Sequence, residues 1–542
     1  MKRKSIFLIF ILIALAFSNY AQQPYLVKDI YAGSNSSALS NLTNANGVLY
    51  FRATNGIDGL ELWKSDATAT GTKMVKDILP GPNGSVPEHL TNVNRIVFFQ
   101  ANDGINGTEL WKSDGTDAGT VMVKDINPGA SGSSPYYLTN ISGVLYFSAN
   151  NGSSGFELWK SDGTTSGTVM VKDIYAGTNG SIPHMLANIN GTLFFSASDG
   201  THGDELWRSN GTSDGTYMVI DIISGSYSGI YSDPFFTDVN GTLFFRANNT
   251  GFPMGSKLWK SDGSALGTVM VKNINLNSFE STLFSFTNVK GTLFFSADDG
   301  VNGSELWKSD GTELGTIMVK DIREGTDSYP LGLTDLDGTL FFQANDGING
   351  IELWKSDGTG SGTMMVKDLC AGTNNNSDPV YLTDVNGTLY FVANDGIIGQ
   401  ELFKTDGTAN GTVGYNINLN GGSSPSYLTN VNGTLFFAAT NGYGEELWAL
   451  KTTTSPTSVR DFKANDISFY PNPNHGKFAI TETTNDIHKI EIYDMKGELI
   501  YSKSNIDHWE NITIDISNSA KGIYLVKIYS LEHNYNKKVV IY

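Results

Sequence analysis

At 542 residues the chain is longer than one small hydrophobic core requires, so more than one domain is expected. Glycine, at 60 residues, exceeds the usual share of about 7%, and charged residues, at 17%, fall below the usual share of about a quarter, a mixture that suits short strands and tight turns. A net charge of −19 with no lysine or arginine cluster in the body excludes nucleic acid as the expected partner.

The chain opens on Lys2-Arg3-Lys4, an apolar run from Ile6 to Phe17, and then Ser18-Asn19-Tyr20-Ala21. A basic start, a short apolar stretch and a small residue before a polar one predict a secretory leader over residues 1–21. The run is too short to span a bilayer, which needs about 20 residues, and no later stretch is apolar enough to do so. Cys370 is the one cysteine, so no internal disulfide framework is expected. It reads as a small apolar residue beside a strand.

From residue 22 to 450 the sequence repeats. The marker "ELW" places tryptophan at Trp63, Trp111, Trp159, Trp207, Trp259, Trp307, Trp354 and Trp448, with Phe403 in the eighth unit, a period of about 48 residues. One unit, Ser134–Ile174, reads as four strands near Tyr136–Ile141, Val144–Ala149, Glu157–Ser161 and Val169–Ile174. Asn-Gly joins the first two strands at Asn46-Gly47, Asn190-Gly191, Asn240-Gly241, Asn386-Gly387 and Asn432-Gly433; Arg95 breaks this in the second unit. The second strand is almost continuously apolar, as in Leu193-Phe194-Phe195, which predicts cover on both faces. A lone fourth-type strand, Tyr25–Ile30, opens the repeats, and the last unit stops after its third strand at Trp448. The opening strand therefore supplies the missing piece of the last unit. The fold expected is all-β, a closed propeller of nine four-stranded blades. An open solenoid of hairpins is the alternative.

The repeat resembles that of exported bacterial proteins known for "ELWxxDGT". Its turn, Ser113-Asp114-Gly115-Thr116, also resembles the Asp-box hairpin of sialidase-like propellers; the spacing differs, so only a structural turn is carried over. Acids such as Glu109 and Asp114 recur in nearly every unit, with Lys257 and Asn210 as the exceptions. Chemistry repeated in every unit reads as scaffold, not as a catalytic pair. The loop Asn102–Glu109 offers oxygen ligands without the alternating spacing of a calcium loop; calcium stays an alternative, and no cofactor is expected. Gly211–Gly215 fits G-x-S-x-G but lies in the repeated hairpin, not between strand and helix.

Function on a repeated scaffold is expected where the units differ. The loops from each fourth strand to the next first strand vary most, and the fifth unit has the largest insertions. Tyr136, Tyr137, Tyr227, Tyr231, Phe236 and Phe252 are the candidate ligand contacts, as aromatic platforms among Ser, Asn and Asp that suit a sugar.

Residues 451–465 form a Thr/Ser/Pro linker. Residues 466–542 alternate as short strands and predict a small Ig-like β-sandwich. This tail resembles the type A C-terminal sorting domain of the type IX secretion system, through Tyr470, Pro471, Asn472, Pro473, Gly497, Gly522 and Tyr524. The resemblance implies the secretion machinery as partner and an extracellular or cell-surface destination. The expected function is an exported binding or adhesion scaffold with a glycan ligand. A secreted polysaccharide hydrolase or lyase, and a purely structural surface repeat, are the alternatives.

Overall fold

The computed structural model describes residues 22–230, 233–248, 255–275 and 283–452, and in the tail 467–470, 475–482, 487–494, 498–504, 512–530 and 534–541. Residues 1–21, expected to be a leader, and residues 453–466, in and around the expected linker, lie outside them. The chain forms two compact units, Met1–Thr453 and Thr454–Tyr542. Among the described residues there is no helix, and so none long and apolar enough to cross a membrane.

The first unit is a ring of nine four-stranded antiparallel sheets, numbered here in chain order. Sheet 3 is typical: Tyr136–Ile141, Val144–Asn150, Phe156–Ser161 and Val169–Lys172 pair in that order. The ring closes through sheet 9, whose fourth strand is the N-terminal Tyr25–Lys28 paired with Glu446–Lys451. First strands touch first strands around the whole cycle, so they are innermost. Asn44 Nδ2 donates to Asn430 O across the closing seam, as Asn140 donates to Asn92 O between sheets 2 and 3.

The apolar second strands follow the period of two, with both faces used. Leu145, Phe147 and Ala149 face Phe98 and Leu110 of sheet 2, while Tyr146 faces Leu193 and Phe195 of sheet 4. Phe51, Phe99, Phe147, Phe195, Phe245, Phe295, Phe342, Phe391 and Phe437 are all fully buried between sheets. Lysines stitch the outer strands together: Lys112 Nζ donates to Gly163 O at 2.8 Å, and Lys124 Nζ donates to Thr168 O at 2.8 Å while lying 5.8 Å from the centre of the Trp159 ring.

The "SDGT" acid is a turn residue. Asp114 Oδ1 accepts from Thr116 N and Oγ1, Ser113 Oγ accepts from Gly115 N, and Gly119 N donates back to Thr116 Oγ1. These bonds, led by the Thr116 hydroxyl, hold the carboxyl below its usual range. Asp103 likewise accepts from Ile105 N and Asn106 N of its own loop. Asn94 and Arg95 both take left-handed conformations, φ 51° and 72°, so the second unit keeps its turn despite the arginine.

The "ELW" glutamate is a buried clip. Glu61 is fully buried and accepts from Ile78 N, Leu79 N, Ser85 N and Ser85 Oγ, all in the loop running to the next sheet. The same acid does this at Glu109, Glu157, Glu305, Glu352 and Glu401. The clip explains a boundary: the strand expected to reach Ile174 ends at Lys172, because Ile174 N–H turns out of the ladder to reach Glu157. Two sheets depart. Glu205 meets Gly229 in place of the serine, and Lys257 reverses the charge, donating to Gly255 O at 3.2 Å. Cys370 is buried, and burial pushes its thiol pKa up, which suits a packing residue.

The tail is a sandwich of a three-stranded sheet and a four-stranded sheet. Phe478, Ile480 and Ile514 from one sheet meet Ile490, Ile492, Tyr524 and Val526 from the other. Tyr524 Oη donates to Ala520 O at 2.5 Å. Pro471, Asn472, Pro473 and Gly497 lie outside the described residues; Tyr470 ends the strand Ile467–Tyr470, and Gly522 opens the strand Gly522–Ser530.

Glu446 makes the clip that closes the ring: Ile30 N donates to Oε2 at 2.7 Å and Tyr31 N to Oε1 at 3.2 Å. Glu446→Ala strands both donors and is expected to cost about 3 kcal/mol, read as a lowered urea midpoint; an unchanged midpoint would refute closure by this clip. Burial also raises the clip pKa values, to about 7 at Glu205 and Glu305. A carboxyl whose folded pKa is raised stabilises fully below its unfolded pKa of about 4.5 and loses that contribution as pH rises toward 7. His202, raised through Asp199, acts in the same direction. Thermal midpoints are therefore expected to fall from pH 5 to pH 8, and Glu305→Gln is expected to flatten that slope.

Candidate functional site

The hairpin register puts the Asn-Gly and "SDGT" turns at one end of each sheet. The loops entering the first and third strands lie together at the other end. At that end the repeat stops repeating. In eight of the nine sheets the innermost strand carries, at one repeated position, Ser40, Glu88, Tyr136, His184, Phe284, Leu331, Val380 or Ser426. In sheet 6, Leu283 precedes Phe284 in the strand.

The next residue is left-handed in all nine sheets: Asn41, His89, Tyr137, Met185, Phe235, Ser285, Gly332, Tyr381 and Tyr427, with φ between 53° and 66°. The cause is a β-bulge, visible as a register shift such as that between Tyr136 and Thr139. Threonine holds it in place, since Thr139 Oγ1 donates to Tyr137 O at 2.9 Å and Thr91, Thr383 and Thr429 do the same. Sheet 4 keeps the bulge with Ala187 in place of the threonine, so the hydroxyl supports the bulge without being required for it, and the two variable residues before "LTN" form a rim.

The rim gathers aromatic side chains across sheet boundaries. His89 meets Tyr136 edge-on at 5.0 Å, and Tyr137 lies 6.3 Å from His184. Tyr381 and Tyr427 stand 6.3 Å apart. Phe235 and Phe284 pack on each other with Arg246 over both rings. Tyr136 and Tyr137 are each 40% exposed, Tyr381 47% and Tyr427 42%.

Beside Tyr136 is a cavity of about 470 Å³, lined also by Ser85, Val86, Glu88, Gln100, Asn102, Thr108 and Ser134. Its polar wall comes from sheet 2 and the loops flanking it, with sheet 1 holding Glu88 from outside the lining. Arg52 of sheet 1 reaches Glu88 Oε1 of sheet 2 at 2.6 Å, and Gln100 Nε2 donates to Glu88 Oε2 at 3.1 Å. Ser134 and Tyr136 come from the entry to sheet 3. Burial lowers the pKa of His89, so the imidazole beside Tyr136 is neutral at pH 7.

Of the residues expected to contact a ligand, Tyr136 and Tyr137 therefore stand together on the rim. Tyr227 is exposed in the loop entering sheet 5, and Phe236 packs edge-on against Phe245 at 5.9 Å. Tyr231 and Phe252 lie outside the described residues. Glu88, His89, Gln100 and Arg52 were not anticipated. The two columns before "LTN", compared across units, carry the signal that finds the first two. Among the described residues no group of three or more His, Cys, Asp or Glu is placed to hold a metal ion.

Comparison with known proteins bears first on the tail. Residues 468–542 match the model of the secretion system C-terminal sorting domain. The tail is an export signal. It directs the chain through the type IX secretion system to the cell surface or the extracellular space. No curated protein matches the chain. Among solved structures it is similar to a puromycin hydrolase mutant complexed with PGG (13% identity, TM-score 0.34, 66% of this chain and 58% of that one). It is also similar to a prolyl endopeptidase (14%, 0.36, 68% and 55%) and a puromycin-hydrolyzing peptidase of Mycobacterium tuberculosis (11%, 0.35, 69% and 61%). The chain thus spans less than two thirds of the length of each.

A bulky residue in the left-handed region is strained by roughly 1–2 kcal/mol, and Gly332 occupies the same position without that strain. Tyr137→Gly and Tyr381→Gly are therefore expected to leave the melting temperature unchanged or raise it. A clear fall would show that these rings are held for packing.

Proposed function

We propose that the nine-sheet ring is a non-catalytic binding scaffold of the "ELWxxDGT" type, carried outside the cell by its tail, and that its ligand is a glycan seated beside Tyr136. In this reading the leader is 1–21, the ring 22–450, the linker 451–465 and the sorting domain 466–542. One observation carries the proposal: residues that differ between repeats converge on a cavity in which a half-exposed tyrosine faces a carboxylate and an amide. Sugars offer an apolar ring face to an aromatic side chain and hydroxyls to such polar groups. The volume lies within the usual range of roughly 300–1,000 Å³ for small-ligand sites. Glu88 is the one carboxylate in the lining, and Arg52 and Gln100 already engage it. A glycosidase places two carboxyl groups about 5–9.5 Å apart across the scissile bond, so this wall favours binding over hydrolysis.

Screening the exported chain against a broad glycan panel tests this. A hit is expected, with affinity reduced about tenfold or more by Tyr136→Ala and with no sugar released over time. A panel without any hit, or a hit indifferent to Tyr136→Ala, would sink the proposal.

A further inference from the structure

The cavity beside Tyr136 is one-sided in formal charge, among amide and hydroxyl groups that both donate and accept. Glu88 is the one charged residue lining it, and no lysine, arginine or histidine joins the lining. The nearest cation described, Arg52, is engaged by Glu88 at 2.6 Å and is not itself part of the lining. Gln100 is only 5% exposed and gives its Nε2 to Glu88, which leaves its Oε1 buried without a partner. A buried acceptor left unpaired is a standing cost that a suitable donor removes. The terminal amide torsion of glutamine is broad, so Oε1 can turn toward a ligand donor, giving up the Nε2 bond to Glu88 as it does so. The wall therefore offers acceptors, from Glu88 and Gln100, and lacks a positive charge that would receive an anion. The net charge of −19 adds a long-range field of the same sign.

Resting on the glycan reading above, we infer that the sugar held here is non-acidic and presents hydrogen-bond donors, hydroxyl or amine, to Glu88 and Gln100, and that uronates are excluded. Exclusion comes from the carboxylate at Glu88, whose partner Arg52 is already engaged and lies outside the lining, so no cation is left to receive a uronate, which is discrimination by repulsion. Tyr136 tolerates any pyranose face, so the tyrosine retains a sugar while the acceptor pair selects its class.

The experiment compares neutral hexose oligomers, chitosan oligomers and oligouronates of matched length on the full exported chain at near-physiological salt. Neutral or amino oligomers are expected to bind roughly tenfold or more tighter than uronates. Glu88→Gln is expected to narrow that gap about tenfold. Gln100→Leu is expected to weaken the neutral oligomers by a similar factor, with an unchanged melting temperature confirming the fold and Gln100→Asn as a second variant should the leucine not fold. Uronates binding as tightly as neutral oligomers would overturn the inference. So would a gap unmoved by Glu88→Gln while Tyr136→Ala abolishes binding; in both cases the sugar site itself stands. Failure of every oligomer to bind the unaltered chain would overturn the glycan reading and this inference with it.

Discussion

The structure turns on a carboxylate removed from water. A buried glutamate is costly unless its lone pairs are filled. In eight of the nine sheets the loop to the next sheet fills them, with two or more N–H donors and usually a serine hydroxyl. The bargain fixes the loop as firmly as the strand. The same loops carry the rim. Ser85 answers Glu61 and also lines the cavity, with Val86 beside it. Ser133 answers Glu109, and Ser134, its neighbour, lines the opposite wall. The repeated acid thus holds still the loop residues beside the cavity.

Closure follows from the same contact. Every sheet is covered on both faces, so a gap anywhere would expose a row of phenylalanines such as Phe51. The N-terminal strand fills the ninth sheet, and Glu446 captures Ile30 and Tyr31 as Glu61 captures Ile78 and Leu79. The seam is chemically the same as the other junctions, with Trp63 packed on Val27 and Leu447. Sheets 4 and 5 are the exceptions, where a glycine replaces the serine and a lysine replaces the glutamate.

The ring was legible because its signals are local and repeated. Asn-Gly turns, unbroken apolar runs and a stray opening strand determine four-stranded sheets and their number without any knowledge of contacts. The site was legible only in part. Tyr136 and Tyr137 stand out as aromatics in a variable loop. Glu88 and Gln100 do not, because a polar residue on a strand carries no sign, within its own repeat, of what it meets. Their meaning comes from Arg52 one repeat earlier and Tyr136 one repeat later. The bulge hides them further. It breaks the alternation that would tell which face each side chain takes.

The rim is also where the chain ignores its own propensities. Core positions obey them: β-branched and aromatic residues fill strands, and asparagine and glycine take the turns. At the second rim position glycine would be easiest, yet one sheet of nine uses it and three use tyrosine. Those tyrosines are 40–47% exposed, so packing does not account for the strain. Violated local preference without compensating burial is the pattern of a position kept for contact with something outside the fold. The bulge accepts Asn, His, Tyr, Met, Phe, Ser and Gly there, which frees the rim to vary from sheet to sheet. A site lined by Glu88 and Tyr136, with Glu88 held by Arg52, then depends on three particular repeats standing in that order. In the binding role proposed above, specificity belongs to the sequence of repeats, and no single repeat contains it.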